Sequence, residues 1–237
     1  MKTISRASCV PCCSVQQGMP DTKGDSLGFL FIQSVADPIN STIAEAQRRF
    51  KAYQSGDRKA VHPSLRLAVF SIVVREGGES GYKAIRDEYT STTSIDGKET
   101  CLIALGKVQS TSLVNDFLDF QFSDKVAIQD LHTGSISLAA NSKVRNDFWK
   151  YVKEHWTRVH NKLSANSVVT DRYLKTTLSK FASHDVEQDI ASFFKDKDTK
   201  GYDRGLVQVS DTVTANACYK ERDERQVYEW LKTHGYA

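Results

Sequence analysis

The chain has 237 residues, of which 40% are hydrophobic and 26% charged, so it can bury a sizeable core without disulfides or structural metals. Its net charge of +3, from 32 basic and 29 acidic residues, is too balanced to indicate a nucleic-acid partner. The chain contains no apolar run near the roughly 18 residues that a membrane-spanning helix needs. We therefore expect a soluble protein that binds neither nucleic acid nor membrane.

Proline is distributed unevenly along the chain. Pro11, Pro20, Pro38 and Pro63 are the four prolines, and no proline follows residue 63. Because proline disrupts helix interiors, this long proline-free stretch favours helices. Residues 1–38 carry three of the prolines and show no sustained helical period. We expect them to form a poorly ordered leader that precedes a helical domain over residues 39–237.

From about Ser41 onward, apolar residues recur at intervals of three and four, which predicts a train of eleven helices. The second is expected to begin at Pro63 and to end at Gly77 and Gly78, before a separate third helix. The clearest apolar stripe predicts that the seventh helix runs without a break over residues 144–159.

Residues 206–217 and 227–231 carry the stripes of the tenth and eleventh predicted helices. The charged run between them, residues 220–225, is expected to be a solvated joint. Short connections place consecutive helices antiparallel and side by side. The predicted fold is all-α, a HEAT- or armadillo-like stack of antiparallel helix pairs that forms a solenoid or bowl, with a compact bundle as the alternative.

The cysteines argue against a disulfide framework. There are five, an odd number: Cys9, Cys12, Cys13, Cys101 and Cys218. Cys9 and Cys12 have CxxC spacing, but no second pair or nearby histidine completes a tetrahedral zinc site. No secretory signal is visible at the N-terminus. We expect a cytoplasmic protein without a metal or another cofactor.

Three common catalytic motifs are missing from the sequence. No His-Glu dipeptide exists, so an HExxH zinc helix is impossible, and neither a P-loop nor a GxSxG elbow occurs. We therefore assign no catalytic residue. Asp130 and His132 are candidate cavity residues, because they fall in the middle of an otherwise apolar predicted helix where a buried carboxylate would need a basic partner.

Several segments, taken in order, resemble the C-terminal helical domain of zinc aminopeptidases of the puromycin-sensitive and endoplasmic-reticulum group. They are HPSLRLAVF at 62–70, REGG at 75–78, LG at 105–106, VAIQD at 126–130, WKYVKEHW at 149–156, FASHDVE at 181–187, YKERDE at 219–224 and WLK at 230–232. Within that group, the last three look most like fungal cytosolic members. The resemblance covers roughly residues 39–237.

The resemblance implies a bowl of HEAT-like helix pairs that closes over a catalytic domain and contacts the far end of a peptide substrate. The family's zinc ligands and catalytic glutamate lie upstream of this domain, so the resemblance supplies no catalytic residue here. It adds Arg66 and Arg75 as candidate cavity contacts, since a guanidinium suits a peptide carboxylate.

Three functions are consistent with the sequence. The first is a stand-alone module, without peptidase activity, that binds a peptide or a partner protein on its concave face. The second is an aminopeptidase fragment that works only with a separate catalytic half. The third is a helical domain recruited as an enzyme into a fungal small-molecule pathway.

Overall fold

The computed structural model describes residues 38–236, and their side chains from Asn40 onward. Within these residues the chain forms ten α-helices and two short 3-10 helices and contains no strand, which confirms the all-α prediction. None of the described helices is both long and apolar enough to span a bilayer. The predicted leader, apart from Pro38, and the CxxC cysteines lie outside the described residues.

The α-helices are, in chain order, α1 (Pro38–Gln54), α2 (Arg66–Ser91), α3 (Ile95–Leu105), α4 (Thr111–Gln121), α5 (Leu131–Ala140), α6 (Arg145–Glu154), α7 (Trp156–Leu163), α8 (Ser167–Leu178), α9 (His184–Phe194) and α10 (Asp203–Thr233). The two 3-10 helices, Pro63–Leu65 and Ile128–Asp130, lead directly into α2 and α5.

Helix α2 is kinked at Gly78, where the sequence predicts a boundary between two helices. Gly78 has φ 55° and ψ −136°, a left-handed conformation that favours glycine. Beyond the kink the chain folds back on itself. The two limbs are so close that a Cβ on Gly81 would lie 2.1 Å from the carbonyl oxygen of Val73. We call residues 66–77 the first limb of α2 and residues 79–91 its second limb.

At two places farther along the chain, the predicted division into helices is wrong. The predicted seventh helix is divided into α6 and α7 at His155, whose φ of −111° and ψ of 25° are not helical. The predicted tenth and eleventh helices form one continuous helix, α10, and the charged run 220–225 is part of it rather than a joint. An apolar stripe does not detect a break confined to one residue, and the charged run contains neither proline nor glycine to end a helix.

The helices form five consecutive pairs whose members fall into two rows. The A row contains α1, the second limb of α2, α4, α6 with α7, and α9. The B row contains the first limb of α2, then α3, α5, α8 and α10. Backbones of neighbouring helices from α3 to α10 in the B row approach more closely than those of neighbours in the A row. This order agrees with stacked helix pairs, while a solenoid or bowl shape stays a prediction.

Small residues allow the close approach within the B row. A Cβ on Gly106, at the end of α3, would lie 2.6 Å from the Cβ of Ser137 and 2.8 Å from the carbonyl oxygen of Gly134 on α5. Ser137 donates a hydrogen bond of 2.7 Å to the carbonyl oxygen of Ile103 across the same contact. Because Gly106 itself has φ −67°, its role here is to leave space rather than to adopt an unusual conformation.

We predict that Gly106→Ala lowers the free energy of unfolding by about 1–3 kcal/mol, the usual cost of overpacking a core. Gly77→Ala is the matched control, because a Cβ there would meet nothing within 4 Å. The control should change stability by no more than about 1 kcal/mol, in the stabilising direction. Urea denaturation of the two variants measures both values, and similar stability for the two would contradict the close contact between α3 and α5.

Candidate functional site

The A row is held together by a recurring interaction that we call a carboxylate clamp. In each clamp, one Asp or Glu accepts hydrogen bonds from an aromatic O–H or N–H and from a basic side chain, which lie on a neighbouring A-row helix or, for Arg58, on the loop that follows α1. The four clamps are Glu88 with Tyr53 and Arg58, Asp116 with Tyr82 and Arg86, Asp119 with Tyr151 and Arg158, and Asp189 with Trp149 and Lys153. One clamp therefore spans each boundary between neighbours along the row.

The clamp on Asp119 joins α4 to α6 and α7. The hydroxyl of the buried Tyr151 donates to Asp119 Oδ1 at 2.7 Å, and Arg158 contacts the same oxygen. Burial alone would raise the pKa of Asp119, but the hydrogen bonds from Tyr151 and Arg158 outweigh it and lower that pKa. The folded structure therefore favours the charged carboxylate.

The clamp on Asp189 joins α6 to α9. Trp149 Nε1 and Lys153 Nζ each donate to Asp189 Oδ2 at 2.6 Å. Burial acts to raise the pKa of this carboxyl as well, and the bonds from Lys153 and Trp149 reverse the direction and lower it. The Trp149 ring also packs edge-on against Phe193 of α9, at 5.3 Å between centroids.

Arg66, the first predicted cavity residue, lies at the start of the first limb of α2. Its guanidinium carbon is 5.6 Å from the centroid of the Tyr53 ring. Its Nε is buried and finds no hydrogen-bond partner within the described part of the chain. Burial raises the pKa of the nearby Cys101 thiol to about 12, and Arg66 acts in the opposite direction.

Arg75 lies at the other end of the same limb. Its Nε donates to Glu76 at 2.6 Å, and its side chain is half exposed. Burial lowers the pKa of the Lys107 ammonium, and the positive charge of Arg75 lowers it further. Nine helical residues separate Arg66 from Arg75, about 14 Å along the axis and on opposite sides of the helix. The structure therefore does not bring these two arginines together.

Asp130 and His132 lie where the 3-10 helix meets α5, not in the middle of a helix as the sequence predicts. Both are half-buried. His132 Nδ1 is 2.8 Å from the carbonyl oxygen of Gln129. Burial raises the pKa of Tyr89, and the charge of Asp130 raises it further. All four predicted cavity residues thus lie on the B row or on the turn that leads into it.

A groove of about 960 Å³ lies between the second limb of α2 and α4. None of the four predicted residues lines it. Its charged lining residues are three bases and three acids, namely Lys83, Arg86, Lys125, Glu79, Asp87 and Asp116. It is also lined by Gly78, by the hydroxyl residues Thr90, Ser91, Ser110 and Ser112, and by Tyr82, Leu113 and Phe120. No local sequence pattern indicates this groove, because its walls come from segments about 30 residues apart.

A second groove, of about 310 Å³, lies between α9 and α10. Its lining is mainly apolar and includes Ile190, Phe194, Leu206, Val207, Val209 and Val213. Among the described residues, no group of three or more His, Cys, Asp or Glu side chains is placed to hold a metal ion.

The clamps predict an acid-sensitive stability. The pKa values of Asp119 and Asp189 are lowered in the folded state. The contribution of these carboxylates to the free energy of unfolding is therefore fully present above the unfolded pKa of about 3.9 and is lost as pH falls through the folded pKa values. We predict that the variant carrying Asp119→Asn and Asp189→Asn loses less stability between pH 5 and pH 2.5 than the parent chain. Urea midpoints across that range measure the difference.

Asp211→Asn is the control for this experiment, because Asp211 is exposed on α10 and belongs to no clamp. It should follow the parent chain at every pH. Equal acid sensitivity of the double variant and the parent would show that the clamps do not link protonation to folding.

Comparison with known proteins places these helices in a family. A model of the ERAP1-like C-terminal domain matches residues 30–215. Aminopeptidase 2 of Candida albicans is 25% identical over 224 residues, which cover 94% of this chain and 24% of that protein. Alanine/arginine aminopeptidase of Saccharomyces cerevisiae is 29% identical over 191 residues, covering 81% and 22% respectively. Human aminopeptidase N is 20% identical over 182 residues, covering 75% and 19%.

The chain therefore spans between about a fifth and a quarter of the length of these relatives. The resemblance noted in the sequence is confirmed by the family match, which extends over most of the described helices. This chain belongs to the ERAP1-like C-terminal domain family.

Proposed function

We propose that this domain is a peptide- or protein-binding module without peptidase activity of its own. The observation that carries the proposal is the groove between α2 and α4. Its volume of about 960 Å³ is at the upper end of the usual range for ligand pockets, and its balanced charges and hydroxyl groups suit the alternating donors and acceptors of a polypeptide. A cytoplasmic location belongs to the same proposal, since the buried Cys101 is a free thiol.

The B row is a second candidate binding surface in this proposal, separate from the groove between α2 and α4, whose walls belong to the A row. Because B-row backbones are closer together than A-row backbones, the stack is expected to curve with the B row on its concave side. Arg66 has a buried Nε without a partner among the described residues, and Arg75 presents a half-exposed guanidinium. A carboxylate of a bound peptide would neutralise either position.

A second candidate function is cooperation with an aminopeptidase catalytic half. The observation that favours it is the coverage of the relatives, since three-quarters or more of each aminopeptidase lies outside the segment that matches this chain. Recruitment as a small-molecule enzyme, the third possibility suggested by the sequence, has no comparable support in the described residues and stays a prediction.

The binding proposal is tested by reversing charges inside the groove. Lys83 and Asp87 line it one helical turn apart, and exchanging them as Lys83→Asp with Asp87→Lys keeps the net charge. We predict that affinity for a fluorescein-labelled decapeptide with one Glu and one Lys in an otherwise uncharged sequence falls at least about fivefold, because each reversed charge meets a like charge. Fluorescence anisotropy measures the affinity.

The matched control exchanges Lys150 and Glu154, an exposed pair at the same spacing on α6 and outside the groove. This control should bind the peptide as the parent does. Absence of measurable binding by the parent, or equal weakening in both exchanges, would contradict a peptide site in the groove.

The lack of peptidase activity is tested with the full chain, added zinc and the 4-nitroanilides of alanine and arginine. We predict no turnover above the buffer blank, whereas the Saccharomyces cerevisiae alanine/arginine aminopeptidase serves as the positive control. Chelator-sensitive release of nitroaniline by the purified chain would contradict the first function. Turnover that appears only after a separate catalytic half is added would favour the second.

A further inference from the structure

The groove between α2 and α4 carries four exposed charged side chains in a regular order along its length. Glu79, Lys83 and Asp87 follow one another at intervals of four residues on the second limb of α2, and all three line the groove. Lys125, in the turn after α4, is the fourth. Its carbonyl oxygen accepts a hydrogen bond of 3.3 Å from the hydroxyl of Tyr89, which places this lysine at the end of the groove where α2 finishes.

The four charges alternate in sign at steps that helix geometry sets. Four residues of an α-helix rise about 6 Å, so the charges of Glu79, Lys83 and Asp87 lie about 6 Å apart along the axis. Ser91, the last residue of α2, is one step farther on and lines the groove together with Lys125. This side of the groove, which we call the charged wall, therefore presents the order negative, positive, negative, positive over about 18 Å.

The other two charged residues of the groove neutralise each other. Arg86 donates a hydrogen bond of 2.5 Å to Asp116. By contrast, within the part of the chain that the structure describes, no side chain of the charged wall forms an ion pair, although the four-residue spacing on α2 would allow one. The charged wall is therefore the part of the groove that can select a ligand by its charges.

An extended peptide has a repeat that matches the charged wall. Every second side chain of an extended chain points to the same side, and these side chains lie about 6.6–6.8 Å apart. Three such steps cover about 20 Å, against about 18 Å along the wall. The difference of about 2 Å is small compared with the reach of the flexible lysine and glutamate side chains.

The hydroxyl groups of the groove also favour an extended ligand. Thr90 and Ser91 lie on one side of the groove, and Ser110 and Ser112 lie on the other. An extended peptide has backbone N–H and C=O groups that need partners, and hydroxyl groups both donate and accept hydrogen bonds. A helical peptide satisfies its backbone internally and would leave these hydroxyl groups unused.

We propose that the groove selects extended peptide segments in which basic and acidic side chains alternate at every second residue. This inference rests on the proposed function and adds the class of ligand to it. Basic residues of the ligand face the acids of the charged wall, and acidic residues face its lysines. The residues between them face α4, which contributes Ser110, Ser112 and Leu113, and they should be small and uncharged. A segment with one sign of charge at this spacing would meet like charges at two positions of the wall.

The test compares two peptides of identical composition, KSESKSESK and KEKEKSSSS, each labelled with fluorescein at its N-terminus and amidated at its C-terminus. In an extended conformation the second peptide has its lysines on one side and its glutamates on the other. Fluorescence anisotropy at low ionic strength should show that the full chain binds the first peptide at least about fivefold more tightly. This preference should shrink in about 0.5 M sodium chloride, because salt screens exposed charges.

Two variants locate the preference. Lys83→Gln with Lys125→Gln removes both positive charges of the wall, and it should reduce the preference to less than about twofold. Lys143→Gln with Lys150→Gln is the matched control, because both of these lysines are exposed and lie outside the groove. The control has the same net charge as the first variant and should keep the preference of the parent.

The outcomes separate this inference from the proposed function. Equal affinity for the two peptides, with both weakened by the exchange of Lys83 and Asp87, would overturn the inference and leave the peptide groove in place. Absence of binding to either peptide would overturn both. A preference that survives Lys83→Gln with Lys125→Gln would overturn the inference. So would tighter binding of the helix-forming peptide KAAAEAAAKAAAE, whose alternating charges lie four residues apart.

Discussion

The carboxylate clamp is the interaction on which the arrangement of the helices depends. Long side chains bridge neighbouring A-row helices, whose backbones approach one another less closely than those of the B row from α3 to α10. Each bridge contains a buried aromatic ring whose O–H or N–H donates a hydrogen bond to a carboxylate. A cation then neutralises the charge of that carboxylate. An aromatic ring alone would not fix the position of one helix along the other, and an exposed ion pair alone contributes little to the free energy of folding. The combination fixes the distance and direction between two helices.

The two rows thus use different physical devices. Gly106 and Ser137 allow backbones to approach in the B row, whereas Tyr151 and Trp149 set a wider spacing in the A row. Helix α4 shows how a single element serves both of its neighbours. Asp116 and Asp119 are three residues apart, and one bonds to α2 while the other bonds to α6 and α7. The large groove lies beside one of these clamps, so a ligand there would contact the same side chains that set the helix spacing.

The sequence predicts the helices well because their apolar periodicity is local. It also indicates the reversal at Gly78, since two adjacent glycines mark an interruption. It does not predict the clamps, because Tyr151 and Asp119 are 32 residues apart and no sequence pattern around either residue indicates its partner. It places Asp130 inside a helix because periodicity does not distinguish a 3-10 turn from the first turn of α5. The family resemblance supplies Arg66 and Arg75, but only the structure shows that they lie at opposite ends of one limb of α2.

Amide hydrogen exchange tests the central claim most directly. The variant carrying Glu88→Gln, Asp116→Asn, Asp119→Asn and Asp189→Asn removes the charge from every clamp while leaving all the glycine contacts of the B row in place. We expect amides of α4, α6 and α9 in this variant to exchange much faster than in the parent, while amides of α3, α5 and α8 keep most of their protection. Uniform loss of protection in both rows, or unchanged protection in α4, α6 and α9, would contradict the claim that the clamps hold the A row.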